Sequence, residues 1–168
     1  LVTDAVDFVI EPGKYYVISY YFKDLTRIST GYNKFAGDTF APCWLGRGNF
    51  VNEREVDLKK RRETITYTFL CGVEVLSDNN TKAVMAFGDS ITARPWPDFL
   101  ARRINEEGYT NRSVVRKAIG GNRVLRDYKF RIKKHWGEAG IKRFEHTLDT
   151  AVGAEAVIVL HGINDIIH

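Results

Sequence analysis

The chain has 168 residues, 44% hydrophobic and 27% charged, with a net charge of +4. That composition is ordinary for a folded globular protein and excludes a low-complexity or fibrous chain. No apolar run approaches the ~20 residues of a membrane-spanning helix, so no membrane span is expected.

The first 80 residues read as β structure, rich in the aromatic residues that favour strands. Val6–Glu11 is a short apolar run closed by the turn signal Pro12–Gly13. Lys14–Phe22 is apolar on both alternating sets, the pattern of a strand buried on two faces. Arg27–Asp38, with Gly31, Asn33 and Gly37, reads as loop, and Thr39–Leu45 as a strand bent at Pro42. Gly46–Arg62 is polar and ends in a solvated run, Lys59–Arg62. Thr64–Leu70 alternates cleanly, with Ile65, Tyr67 and Phe69 on one face, and Gly72–Leu76 extends it. Cys43 and Cys71 form no zinc pattern; they read as two thiols near a β core, with a single disulfide as the alternative. Ser77–Asn80 is the linker, dividing residues 1–80 from residues 81–168.

From residue 82 strands and helices alternate. Ala83–Phe87, Ser113–Ile119 and Ala156–Leu160 are the strands. Trp96, Phe99, Leu100 and Ile104 mark one helix up to Gly108, with Pro97 in its first turn. Ile141, Phe144, Leu148, Ala151 and Val152 mark another, ending near Gly153. Apolar strands between amphipathic helices predict an α/β fold with a parallel sheet covered on both faces. Residues 101–134 hold eleven Lys/Arg against three acids. Without a nucleic-acid motif this reads as a solvated basic face, and no nucleic-acid partner is expected.

Each strand ends in small or polar residues: Gly88–Asp89–Ser90, Ile119–Gly120–Gly121–Asn122–Arg123, and His161–Gly162–Ile163–Asn164–Asp165. In a parallel sheet these ends share one edge, where α/β folds place their sites. Acyl transfer needs a nucleophile and donors for the developing oxyanion. Ser90 is the candidate nucleophile. The amides of Ser90 and Gly121 and the side-chain amide of Asn164 are the candidate oxyanion donors. Asp89 reads as a brace of the serine turn or a helix cap. Asn122 reads as a turn residue or a contact, Arg123 as an anion contact or a partner of Asp127, and His161 as a packed group behind the site, with contact to the site as the alternative.

These three blocks, in this order, resemble the SGNH or GDSL-type hydrolases. Gly-Asp-Ser-Ile-Thr is similar to the first block, Ala-Ile-Gly-Gly-Asn-Arg to the second and Gly-Ile-Asn-Asp to the third. The resemblance covers residues 83–168. It implies a flavodoxin-like three-layer α/β/α domain and a serine esterase or acylhydrolase. It puts the nucleophile at Ser90 and the oxyanion hole at Gly121 and Asn164, with neither metal nor cofactor. The implied substrate is a small-molecule or carbohydrate ester, or a lipid ester. The aromatic segments running into Gly72–Leu76 are similar to an N-terminal β-sandwich-like domain found in some members. On that resemblance Leu1 lies partway into the β domain.

The family's closing block, Asp-x-x-His, supplies the base and its carboxylate. Asp165 and His168 reproduce the spacing, but Asp165 belongs to the third block, and the closing block is expected beyond His168. His135 is read as exposed and His146 as a surface or boundary residue. The expectation is a hydrolase chain lacking its base; the alternative is a non-catalytic carbohydrate-binding or interaction module on the same scaffold.

Overall fold

The computed structural model describes the chain apart from residues 1–2, 12–13, 27–32, 35–42, 58, 60, 65, 68–69, 71, 131–132, 134–135 and 168. The expected turn at Pro12–Gly13, the bend at Pro42, Cys71, His135, His168 and nearly all of the 27–38 loop lie outside the described residues.

Before residue 80 the described residues form two small antiparallel sheets. Strand β1 (Asn33–Lys34) pairs with β4 (Thr66–Tyr67), and β2 (Cys43–Leu45) pairs with β3 (Arg62–Thr64). Only part of the expected strand at 64–70 is therefore seen, its Ile65, Thr68 and Phe69 being outside the described residues. Val6–Glu11 and Lys14–Phe22 carry no strand where they are described, and neither does Gly72–Leu76. Their apolar side chains are exposed: Val6, Tyr15 and Val17 each keep more than three quarters of their surface open. Alternation marks side chains that a sheet can bury, but the ladder also needs a partner strand, and local pattern carries no information on that. Cys43 is a free thiol, half-buried, and burial pushes its ionisation up.

Residues 82–167 form an α/β unit. Asp78 launches it: its carboxylate accepts the amides of Asn80 and Thr81 and the Thr81 hydroxyl. The parallel sheet has the order β6-β5-β7, from β5 (Lys82–Gly88), β6 (Arg112–Ala118) and β7 (Ala154–Leu160). Helix α1 (Trp96–Glu106) connects β5 to β6, α2 (Gly140–Asp149) connects β6 to β7, and α3 (Ile163–Ile167) follows β7. Arg116, level with Ala86, pairs with Asp98 of α1. Phe87 is one residue further along β5 and so on the opposite face. There its ring meets Phe144 of α2 edge-on, centroids 5.1 Å apart. The two helices thus cover opposite faces, as right-handed crossovers to either side of a central strand require.

Met85 and Phe87 are buried with Ala151, and Phe144, Ala154 and Val157 close around them. Met85 has no exposed surface. Met85→Ala is expected to lower the unfolding free energy by ~2–5 kcal/mol. Urea unfolding measures this; a loss under about 1 kcal/mol would show that the cluster is not the core.

Candidate active site

The three strand ends are level. Gly88 is the register partner of both Ala118 and Leu160, so the segments that follow leave the sheet at one edge. The chain goes from β5 to β6 on one side and returns to β7 on the other. The crevice between the ends of β5 and β7 is therefore the topological switch point, where α/β sheets bind ligands.

Gly88 is required by close packing. A Cβ there would stand 2.1 Å from the Leu160 carbonyl oxygen and 2.3 Å from Thr92 Oγ1. Thr92 is fully buried, and its hydroxyl donates to that same Leu160 oxygen at 2.9 Å. Between them runs the Ser90 turn. Asp89 braces it from inside: its Oδ1 accepts the Ile91 amide at 3.0 Å and its Oδ2 accepts the Gly162 amide at 3.3 Å. Bracing, rather than helix capping, is its role, since α1 starts seven residues later after Pro95.

Ser90 is half-buried. A Cβ on Gly120 would lie 3.9 Å from Ser90 Cβ, so the serine turn and the Gly120–Gly121 turn adjoin. Gly121 has φ +78°, and a side chain there would run into the Trp136 indole at 2.5 Å. Tyr128 donates its hydroxyl to the Gly121 carbonyl at 2.9 Å and stacks edge-on against Trp136. Among the described residues, the amides of Ser90 and Gly121 donate no hydrogen bond.

Asn164 is buried and spends one side-chain N–H on the Asn122 carbonyl at 2.9 Å, leaving its second hydrogen. Asp165, next to it, accepts the amides of Val124 and Leu125. Burial pulls its carboxyl up, but these amides, with His161 and Arg123 nearby, hold it below the usual carboxylate range. Arg123 donates to the Asn164 carbonyl and lies over the Tyr128 ring at 4.1 Å. It is not paired with Asp127, which takes Lys142 and the Ala139 amide instead.

Behind these groups sits a residue whose importance sequence reasoning understated. Asn122 is fully buried and makes four side-chain hydrogen bonds. Its Nδ2 donates to the Trp136 and Glu138 carbonyls, both at 2.7 Å. Its Oδ1 faces Arg143 Nε and His161 Nε2, both at 3.0 Å. Arg143 was not anticipated at all. It also donates to the Lys117 and Gly88 carbonyls and lies over the Phe87 ring. Burial pushes its guanidinium down to about 10, still charged at neutral pH. A usable signal was its helical spacing: Gly140, Arg143, Phe144 and Thr147 share the inward face of α2.

The His161 side chain is 1% exposed, with Nδ1 3.5 Å from Asp89 Oδ2. Burial holds its imidazole below the ordinary value, Asp89 opposing this and Arg143 reinforcing it. His146 is exposed on α2. Among the described residues no group of three or more His, Cys, Asp or Glu is placed to hold a metal, and no helix is long and apolar enough to cross a membrane.

A search of curated proteins finds no match to the chain. The family model described as GDSL-like lipase/acylhydrolase matches residues 86–168, the stretch that runs from the serine turn through all three strand ends. Residues 86–168 thereby belong to the GDSL-like lipase/acylhydrolase family.

Proposed function

We propose that residues 81–168 carry the nucleophile and oxyanion hole of a serine esterase, following a separate β-rich unit in residues 1–80. The carrying observation is the meeting, at one sheet edge, of a half-buried Ser90 with unspent donors on Ser90, Gly121 and Asn164. The strand order β6-β5-β7 supports a flavodoxin-like sandwich, whose order begins the same way.

In this reading Ser90 Oγ attacks the ester carbonyl carbon and passes its proton to a base. The carbonyl electron pair moves onto oxygen, where the Ser90 and Gly121 amides and the Asn164 carboxamide receive it. Collapse expels the alcohol, which takes the proton from the base. Water then cleaves the acyl-enzyme by the same steps in reverse order. His161 is not that base, because Nε2 is held by Asn122 and Nδ1 faces Asp89. His146, exposed on α2, belongs to no part of this network. The base and its orienting carboxylate are assigned to residues outside those described. The path from Thr92 to the start of α1 at Trp96 is short. That supports an open site and a short acyl group, such as acetyl, on a carbohydrate or lipid.

Incubating the full-length protein with a fluorophosphonate ester is expected to add one phosphonyl group, located on Ser90 by peptide mass spectrometry. Hydrolysis of an aryl acetate should fall in step with labelling. Stoichiometric labelling elsewhere, or undiminished hydrolysis after Ser90 is fully modified, would overturn the assignment.

A further inference from the structure

The three segments at the sheet edge meet on one imidazole. The hydrogen positions around it follow from its neighbours. The carbonyl oxygens of Trp136 and Glu138 only accept, so the Asn122 atom 2.7 Å from both is the amide nitrogen. Asn122 Oδ1 therefore faces Arg143 and His161. The Arg143 Nε–H can only donate, and His161 Nε2, sharing that oxygen at 3.0 Å, must also carry a hydrogen. That leaves Nδ1 of the neutral ring with a lone pair, and it faces Asp89 Oδ2 at 3.5 Å. The gap exceeds the 2.7–3.2 Å of an N–H···O bond. Among the described residues Nδ1 has no hydrogen-bond partner.

We propose that His161 is the positioning residue of this site, holding the Asn122 carboxamide through Nε2–H and facing the Asp89 brace of the serine turn through Nδ1. The proposal rests on the reading of Ser90 as nucleophile. Asn122 carries the Asn164 donor on its carbonyl, so fixing Asn122 fixes that donor. Asp89 holds the Ile91 amide with its other oxygen, so whatever moves Asp89 moves the serine turn. Gly140 of α2 leaves room for the ring: a Cβ there would stand 3.0 Å from His161 Nε2.

The ring also has a second state. A proton on Nδ1 converts two facing acceptors into a charge-assisted hydrogen bond, which is shorter and stronger. Closing the gap draws Asp89 toward His161 and away from the Ile91 amide. The charged groups around the ring are Asp89 after β5, Arg143 on α2 and Asp165 on α3. The Nε2–H bond to Asn122 is present in both states, so the neutral ring is the state that keeps the serine turn in place.

The test has two arms, both on the full-length protein. Nitrogen-15 NMR of the imidazole is expected to show the Nε2–H tautomer near neutral pH. On acid titration, the Ile91 amide should shift with the midpoint of His161. An Nδ1–H tautomer, or an Ile91 signal indifferent to that titration, would overturn the proposal. The kinetic arm compares His161→Leu with His161→Gln. Leucine removes the donor to Asn122 and is expected to lower kcat by ~10²-fold with KM little changed, as for a misplaced catalytic group. Glutamine restores a donor that does not titrate, so it should recover most of kcat and abolish the shift of the Ile91 amide at the His161 midpoint. A glutamine variant as impaired as the leucine one, or one whose Ile91 amide still shifts at that midpoint, argues for a merely structural ring. The NMR arm needs no turnover, so an absence of esterase activity would sink the Ser90 reading and leave this proposal to be decided by its own signals.

Discussion

Ser90→Ala is expected to lower kcat for an aryl acetate by roughly 10⁶, the scale seen when a serine nucleophile is deleted. Its stability should change by no more than ~0.5 kcal/mol. Ser90 is half-buried and makes no hydrogen bond among the described residues, so the substitution removes chemistry without removing structure. Asn164→Ala makes the instructive contrast. Losing one oxyanion donor should cost ~10²–10³ in kcat with KM nearly unchanged, because the donor is used chiefly when charge develops. Unlike Ser90, Asn164 is buried and bonded to the Asn122 carbonyl, so about 1–3 kcal/mol of stability should go with it. Kinetics and unfolding on the same preparations separate the two losses. If Asn164→Ala raised KM and spared kcat, Asn164 would be a substrate contact and the oxyanion assignment would fail. If Ser90→Ala kept even a hundredth of the activity, Ser90 would not be the nucleophile.

Much of the α/β unit is legible in the sequence because its signals are local. Ala83–Phe87, Ser113–Ile119 and Ala156–Leu160 are apolar runs bounded by turns, and each lies within two residues of an observed strand. Gly108 sits just past α1 with positive φ, where that helix was expected to end, whereas α2 stops at Asp149, short of Ala151 and Val152, which the spacing had included. The strand-end motifs are local too, and parallel register alone makes them neighbours. Phe99, however, is exposed although it is one of the apolar residues whose spacing marks α1. At Lys14–Phe22 the pattern asks for burial on two faces, and the described residues show neither strand nor burial there. Nor was the Asn122 hub visible. Its partners come from residues 136, 138, 143, 161 and 164, and no spacing rule brings those five together. An asparagine after two glycines looks like a turn residue, and only the tertiary structure reveals that every polar atom of its side chain is spent.

Those spent atoms make Asn122→Ala as costly to stability as a large core truncation. Alanine leaves two carbonyl oxygens, one imidazole N–H and one guanidinium N–H without their partner. Each buried group stripped of its partner costs ~1–3 kcal/mol, and water entering the vacated space offsets part of the sum. A net loss of about 4 kcal/mol is expected, in the range reserved for broken buried networks. Arg143 is the reason the loss should not be smaller. Its half-buried charge lies against backbone carbonyls and the Phe87 ring, and among the described residues no carboxylate hydrogen-bonds to it, so it depends on neutral oxygens such as Asn122 Oδ1. Asn122→Asp tests that dependence. It keeps the oxygen that faces Arg143 and His161, adds a charge that attracts the guanidinium, and turns the other oxygen against the Trp136 and Glu138 carbonyls. Protonation gives one donor back, so Asn122→Asp should regain stability as the pH falls, whereas Asn122→Ala should not. Urea unfolding between pH 4.5 and 8 measures both. If Asn122→Ala lost less than about 1 kcal/mol, or the two variants ran parallel in pH, the buried polar network would not be what holds the three strand ends together.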